Sequence, residues 1–256
     1  MQFYRRLTTI KAISFDLDDT LYSNRPVMYD IEKKMVSYFA EKLASLLPDL
    51  HAVFNRAFWG PYRQEAINAN GDISHDVVQL RYESYRLGLI AHGVAAAQAA
   101  NEAQLALNYF IQLRSDFSVP KASKQLLAQL SQQYPLLAIS NGNVDTKTLG
   151  IAQYFHSIYH AGFQNGNHAK VGQHLLAGRL LKQKPATDMF VEVCQELAIS
   201  AHELLHVGDC GFADIHGALN AGCQTAWLPQ YGVGKPLQQL PHLELSDVSE
   251  LLRLVK

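Results

Sequence analysis

Three short, largely apolar stretches constrain what this chain can fold into: Ile10–Phe15, Leu136–Ile139 and Leu204–Val207. Their apolar residues run on consecutive positions rather than alternate ones, the pattern of strands covered on both faces. Ser157–His160 and Gln224–Leu228 read as further strands. Helical stretches at Lys121–Leu130, Thr187–Leu197 and Asp214–Ala221 lie between them. Parallel neighbours need a crossover too long for a hairpin, usually a helix, so this alternation predicts an α/β fold with helices on both faces of a parallel sheet.

The first strand is separated from the others by a segment of different texture. Pro26 to Phe117 is rich in Ala, Leu, Gln and Tyr, with few β-branched runs, which favours helices. Apolar residues at helical spacing (Ile31, Met35, Phe39, Leu43, Leu46, Leu47) predict a helix over Met28–Leu47, with Pro26 as a good opening residue. Further helices are expected over Ala52–Ile67, disturbed at Gly60-Pro61, from a Ser74 cap to Leu87, and over Ala95–Leu113. Asn70-Gly71-Asp72 reads as a turn. The expected organisation is a core of residues 1–21 and 118–256 with a helical domain, 22–117, inserted into it. Gly162–Gln183 is the least regular stretch.

The chain has 256 residues, 48% of them hydrophobic, and a net charge of -1. Disorder needs low hydrophobicity and high net charge, so a folded core is expected. The charge balance excludes a broadly basic nucleic-acid or membrane-surface protein. Cys194, Cys210 and Cys223 are odd in number, which fits a reduced cytosolic chain better than a disulfide framework. The N-terminal apolar run is short and broken by Asp16, so no signal peptide is read, and no stretch approaches the ~20 apolar residues of a membrane span. The expectations are a cytoplasmic location and no nucleic-acid or membrane partner.

The chemistry concentrates at strand ends. Ser14-Phe15-Asp16-Leu17-Asp18-Asp19-Thr20-Leu21 delivers carboxylates where an apolar strand stops. Side chains two apart share a strand face, so Asp16 and Asp18 can converge at its C-terminal end, where open α/β sheets bind ligands. Clustered carboxylates repel unless a cation or proton intervenes, and hard oxygen ligands suit Mg²⁺. Alone, such a run is most often an acidic surface turn. An EF-hand loop fails because Leu21 stands at its glycine position. A second acidic group, Gly208-Asp209 with Asp214 beyond, follows another apolar strand. Between the two lie Ser140-Asn141-Gly142, able to hydrogen-bond phosphate oxygens, and Lys184-Pro185, which offers a cation. Each piece is weak; the four in this order are specific.

In these four pieces the chain resembles the haloacid dehalogenase-like hydrolases: Asp16-Leu17-Asp18-Asp19-Thr20, Ser140-Asn141, Lys184-Pro185 with Phe190 beyond, and Gly208-Asp209 through Asp214. The helical insertion resembles that family's C1-type cap. More narrowly, the FDLDDTLY opening with Asn24-Arg25-Pro26, the AISNGN run and LHVGD resemble a bacterial subgroup that dephosphorylates flavin mononucleotide and the phosphorylated ribityl-pyrimidine precursor of riboflavin. The resemblance implies a Rossmann-like core and a Mg²⁺-dependent phosphatase acting on a small-molecule phosphate ester, as a monomer or homodimer. It implies that Asp16 attacks phosphorus and that Asp18 is the acid and then the base. It further implies that Ser140, Asn141, Gly142 and Lys184 line the phosphate site, Asn141 and Thr20 chiefly as loop supports. Asp16, Asp18 through its backbone carbonyl, Asp209 and Asp214 would hold the metal. The stretch before Lys184 is longer than the subgroup usually has, which makes Lys170 and Lys182 rivals; Pro185 and Phe190 favour Lys184.

Other readings rank lower. A dehalogenase shares the first aspartate but has no alkoxide to protonate, and Asp18 is present. A phosphomutase shares all four motifs, and a non-catalytic phosphometabolite-binding module would not need every catalytic position filled. His156/His160 and His202/His206 are spaced i, i+4, but each pair straddles a strand or loop and lacks a third zinc ligand. Tyr38, Phe39, Phe54, Phe58, Trp59, Tyr62, Tyr82 and Tyr85 fit a helical core. Asn24, Arg25 and Asn143 are candidate specificity residues.

Overall fold

The computed structural model describes residues 1–50, 52–164 and 178–254. Two compact units emerge: Met1–Arg25, Phe117–Ala161 and Lys182–Lys256 form one, Pro26–Asp116 and Gly162–Leu181 the other. Strands β1 (Gln2–Phe3) and β2 (Ala12–Phe15) precede helices α1 (Arg25–Leu43), α2 (Arg56–Ala69), α3 (Val77–Ala91) and α4 (Ala96–Arg114). Helix α5 (Lys121–Leu130), strands β3 (Leu136–Ser140) and β4 (Ser157–His160), and an antiparallel pair of β5 (Gly162–Gln164) and β6 (Arg179–Leu181) follow. The chain continues through α6 (Asp188–Glu196), β7 (Leu204–Gly208), α7 (Gly217–Asn220), β8 (Gln224–Trp227) and β9 (Leu243–Glu244).

In the first unit the strands form one sheet in the order β1-β9-β8-β7-β2-β3-β4. All neighbours are parallel except β1, which pairs antiparallel with β9. Strand β2 is central, with Phe15 opposite Ala138 of β3 and Val207 of β7. Every residue of β2, β3 and β7 is buried, as their largely apolar runs predict, with Ser14, Ser140 and His206 the polar exceptions. Helix α5 covers the sheet with Leu126, Leu127 and Leu130, each fully buried. Each such leucine contributes about 1.5–3 kcal/mol. The chain leaves β2 toward β3 on one side and later returns to β7 on the other. That reversal of strand order opens a crevice at the carboxyl ends of β2, β3 and β7.

The second unit is helical. Asn55 caps α2, its Oδ1 accepting from Ala57 N at 3.0 Å and Phe58 N at 3.1 Å. Helix α1 stops at Leu43 instead of Leu47; Leu46 N and Leu47 N still donate to Leu43 O in a closing turn, and Pro48 disfavours helix at the residue before it. Phe39, Trp59 and Tyr85 form an aromatic core with centroids 4.6–4.9 Å apart. Gly88 lets α2 and α3 approach: a Cβ there would lie 2.7 Å from the Trp59 ring.

Two expectations change here. The cap of α3 is Asp76, not Ser74; Ser74 Oγ instead donates to Gly71 O inside a 3-10 turn over Gly71–His75. Asp76 Oδ1 accepts from Val78 N and Gln79 N, while its Oδ2 accepts from Phe163 N at 3.1 Å. The latter bond holds β5 to the helical unit, and the described ends of the stretch expected to be irregular pair as two antiparallel strands. Lys170 lies outside the described residues. No helix among the described residues is long and apolar enough to cross a membrane.

Candidate active site

Asp16 extends β2 by one ladder bond, its N–H reaching Val207 O at 2.9 Å. The chain then folds sharply back, with Thr20 N and Leu21 N both donating to Leu17 O and Asp19 in the left-handed region at φ 57°. Asp19 Oδ1 accepts from Asn24 N at 2.8 Å, and Ser123 Oγ donates to Leu21 O at 2.6 Å. These bonds fix the loop that carries the first carboxylates. Thr20 Oγ1 donates to Asp16 Oδ2 at 3.2 Å, and the Tyr22 hydroxyl to Asp18 Oδ1 at 2.8 Å. Asp16 is buried, while Asp18 is partly open to solvent.

The Lys184 ammonium is buried and uses all three of its protons: on Asp16 Oδ1 at 2.8 Å, Asp214 Oδ1 at 2.7 Å and Ile139 O at 2.6 Å. Burial opposes the charge, but Asp16 and Asp214 outweigh it and raise the Lys184 pKa. Asn141 holds the lysine's backbone from both sides, with Lys184 N donating to Asn141 Oδ1 at 2.8 Å and Asn141 Nδ2 to Lys184 O at 3.0 Å. Lys182 is exposed.

Asp214 comes off a wide, π-type turn over Gly211–His216, which begins ahead of the helix expected from Asp214. Burial works against its charge, yet Lys184 and His206 prevail and hold it well below the usual carboxylate range. His206 Nε2 lies 3.2 Å from Asp214 Oδ1 and its Nδ1 2.9 Å from Ser14 Oγ. Burial depresses the imidazole pKa. An ionised Asp214 can only accept, so Nε2 carries the proton and Ser14 donates to Nδ1. Cys210 N completes the set on Asp214 Oδ2 at 2.9 Å.

Asp209 ends β7. Among the described residues its carboxylate accepts no hydrogen bond. Burial, with Asp214 and Asp16 nearby, pushes its pKa up to about 8. Asp16 is pushed up to about 7, by burial first and by Asp214 and Asp18 next, against the pull of Lys184. Carboxylate oxygens of Asp16, Asp209 and Asp214 all lie within 4.8 Å of one another. One ammonium cannot neutralise three buried carboxylates, and a hard divalent cation such as Mg²⁺ fits this oxygen set and its surplus charge.

At the end of β3, Gly142 N donates to Ser140 Oγ at 3.0 Å and Gly142 O meets His160 Nδ1 at 2.9 Å. A Cβ on Gly142 would lie 2.6 Å from Asp18 Oδ2, so the second motif reaches the first across the strand ends. The structure therefore gathers Asp16, Asp18, Ser140, Gly142, Lys184, Asp209 and Asp214, with the Asn141 side chain turned onto the lysine's backbone. The Asp18 carboxylate is outside the group of three. Sequence reasoning passed over Tyr22 and His206. An i, i+4 histidine spacing points to a metal, whereas His206 serves Asp214.

The family described as haloacid dehalogenase-like hydrolase matches residues 10–222. Among curated proteins, the chain is 33% identical over 262 residues to the 5-amino-6-(5-phospho-D-ribitylamino)uracil phosphatase YigB of Escherichia coli (strain K12), covering 100% of both chains. It is 24% identical to N-acylneuraminate-9-phosphatase of Rattus norvegicus, over 98% of this chain and 95% of that one. Among solved structures, a 2-haloacid dehalogenase from Pseudomonas syringae pv. Tomato DC3000 superposes with a TM-score of 0.81 at 25% identity, covering 96% of this chain and 98% of the other. The protein is a phosphoric monoester hydrolase, and the chain belongs to the haloacid dehalogenase-like hydrolases.

Proposed function

We propose that the protein is a Mg²⁺-dependent phosphatase of small metabolites that works through an aspartyl-phosphate on Asp16. The observation that carries this reading is the Lys184 ammonium, buried between Asp16 and Asp214 at 2.8 and 2.7 Å, with Asp209 close by. Phosphoryl transfer needs chiefly positioning and charge neutralisation.

An Asp16 oxygen attacks phosphorus, and the ester P–O bond breaks as the new O–P bond forms. Asp18 gives its proton to the departing alkoxide. In the second half Asp18, now a carboxylate, takes a proton from water as the water oxygen attacks the same phosphorus. The Asp16 O–P bond breaks, inorganic phosphate leaves, and both aspartates return to their starting states. Splitting hydrolysis this way lets one acid–base residue serve both displacements. Lys184 offsets charge on the transferring group, while Ser140 and Gly142 supply polar contacts to its oxygens. Mg²⁺, held by Asp16, Asp209, the Asp18 backbone carbonyl and Asp214, would supply the positive charge that keeps Asp16 ionised beside a phosphate.

Residues 22–117 are the proposed cap, excluding water and selecting substrate. The ribityl-pyrimidine phosphate is a proposed substrate on the strength of the full-length likeness to the Escherichia coli phosphatase, and flavin mononucleotide on the resemblance of the sequence motifs alone. The proposed compartment is the cytoplasm. Dehalogenation is disfavoured because Asp18, held by Tyr22, has no task in it. A panel of phosphate esters, including these two, nucleotides and sugar phosphates, with Mg²⁺ and with chelator, tests the reading. Chelator-sensitive phosphate release favouring the two flavin-pathway esters is expected. Equal rates on all esters would remove the substrate assignment, and release that ignores chelator would remove the metal.

A further inference from the structure

Tyr22 closes the loop that carries the first carboxylates. Its side chain is buried, the ring tilted against Phe117 with centroids 4.7 Å apart. The backbone around it is tied down as well: Tyr22 O accepts from Asp19 N at 2.8 Å, and the neighbouring Leu21 O accepts from Ser123 Oγ at 2.6 Å. The hydroxyl at the end of this packed ring donates to Asp18 Oδ1 at 2.8 Å. Packing on Phe117 needs only the ring, so the hydroxyl calls for a reason of its own. Asp18 is partly open, so water can solvate its carboxylate without help from a tyrosine. What the hydroxyl adds is orientation, because it ties a partly open side chain to a buried, well-packed donor. Gly142 bounds the other oxygen, since a Cβ there would lie 2.6 Å from Asp18 Oδ2. Asp18 is thus set between Tyr22 at Oδ1 and the end of β3 at Oδ2.

We propose that Tyr22 is a positioning residue for proton transfer by Asp18, its hydroxyl engaging Oδ1 and so giving Oδ2 the proton that moves. The inference rests on the assignment of Asp18 as acid and then base. In the first displacement the Oδ2–H bond breaks as the proton passes to the departing alkoxide. The negative charge left behind is shared with Oδ1, where the Tyr22 O–H meets it. A hydrogen bond to an ionised acceptor is stronger than one to a neutral acceptor, so this bond tightens as the proton leaves. In the second displacement Oδ2 takes a proton from the attacking water and the acid is restored. Tyr22 keeps its own proton throughout and acts through Asp18.

The test compares leaving groups in the full-length protein with Mg²⁺. Tyr22→Phe keeps the ring on Phe117 and removes the hydroxyl alone. With glycerol 2-phosphate, whose alkoxide needs a proton, kcat should fall by about 10–100-fold with little change in KM, the loss expected of one hydrogen bond to a charged group. With p-nitrophenyl phosphate, whose leaving group needs none, the initial burst of p-nitrophenol should be largely retained, while phosphate release slows and phosphorylated protein accumulates in acid-quenched samples. Tyr22→Met, different in shape and likewise without a hydroxyl, should give the same ratio between the two esters. Asp18→Asn, run alongside, separates the inference from the reading beneath it. If Asp18→Asn slows the alkyl ester and Tyr22→Phe does not, the positioning role falls and Asp18 keeps its own. If Asp18→Asn does not slow it either, the acid–base assignment itself falls. Equal losses on both esters in Tyr22→Phe, the pattern of a distorted loop, would also overturn the proposal.

Discussion

The Lys184 ammonium lies 2.8 Å from Asp16 Oδ1, inside the fold, with the lysine side chain shut off from solvent. Removing the cation leaves buried carboxylates uncompensated, which costs about 3–5 kcal/mol in comparable buried pairs. Lys184→Met should lose about 10²–10³-fold in kcat, as loss of a charge-stabilising donor does. Its metal-free form should also melt earlier. Steady-state kinetics and thermal melts measure both; near-normal turnover would remove Lys184 from the site.

Gly142 has no room for a side chain. A Cβ would stand 2.6 Å from Asp18 Oδ2 and 3.3 Å from Ser140 Oγ. Gly142→Ala should displace the Asp18 carboxylate and cost turnover by about the 10²–10⁴-fold that a general acid–base group provides. Because Asp18 is partly open, its side chain can swing away and the fold should persist. Circular dichroism and kcat, measured together, check this.

His206 acts on the site through Asp214. Groups that orient a metal ligand typically change metal affinity by 10–100-fold. His206→Leu should therefore raise the Mg²⁺ concentration for half-maximal activity by about 10–100-fold. His206→Gln, which keeps a donor toward Asp214, should recover part of it. A Mg²⁺ titration of activity separates this role from general destabilisation, which would move both variants alike.

Much of this site is legible in the sequence because its parts sit where apolar strands stop. Asp16 and Asp209 follow β2 and β7, Ser140 is the last residue of β3, and strand adjacency brings them together. Lys184 was readable from Pro185 and Phe190, but its three-way contact was not, since that depends on the depth at which its backbone is held by Asn141. The Asp76 cap was hidden by Ser74, an equally good capping residue that the 3-10 turn diverts. Strands β1 and β9 are two residues each, too short for any periodicity to show. Their pairing is decided by the sheet edge.

The two raised carboxyls give the metal-free protein a definite pH response. Asp16 and Asp209 titrate near 7 and 8 when folded, against an ordinary 3.8. Between these limits the folded chain holds more protons than the unfolded one, so their contribution to stability is full at low pH and lost as pH rises through 7 and 8. Asp214 works oppositely, but only below 3.8. Mg²⁺ should therefore raise the melting temperature more at about pH 8 than at about pH 5. Thermal melts with and without the metal measure the difference.

Covalent capture at Asp16 decides the rest. In Asp18→Asn, p-nitrophenyl phosphate has a leaving group that needs no proton, so the first displacement should proceed while the second stalls. Acid-quenched protein, incubated with that ester and Mg²⁺, should carry one phosphoryl group on the peptide containing Asp16, and Asp16→Asn should carry none. An unmodified Asp16 peptide, or phosphate found on another residue, would show that this carboxylate is not the nucleophile.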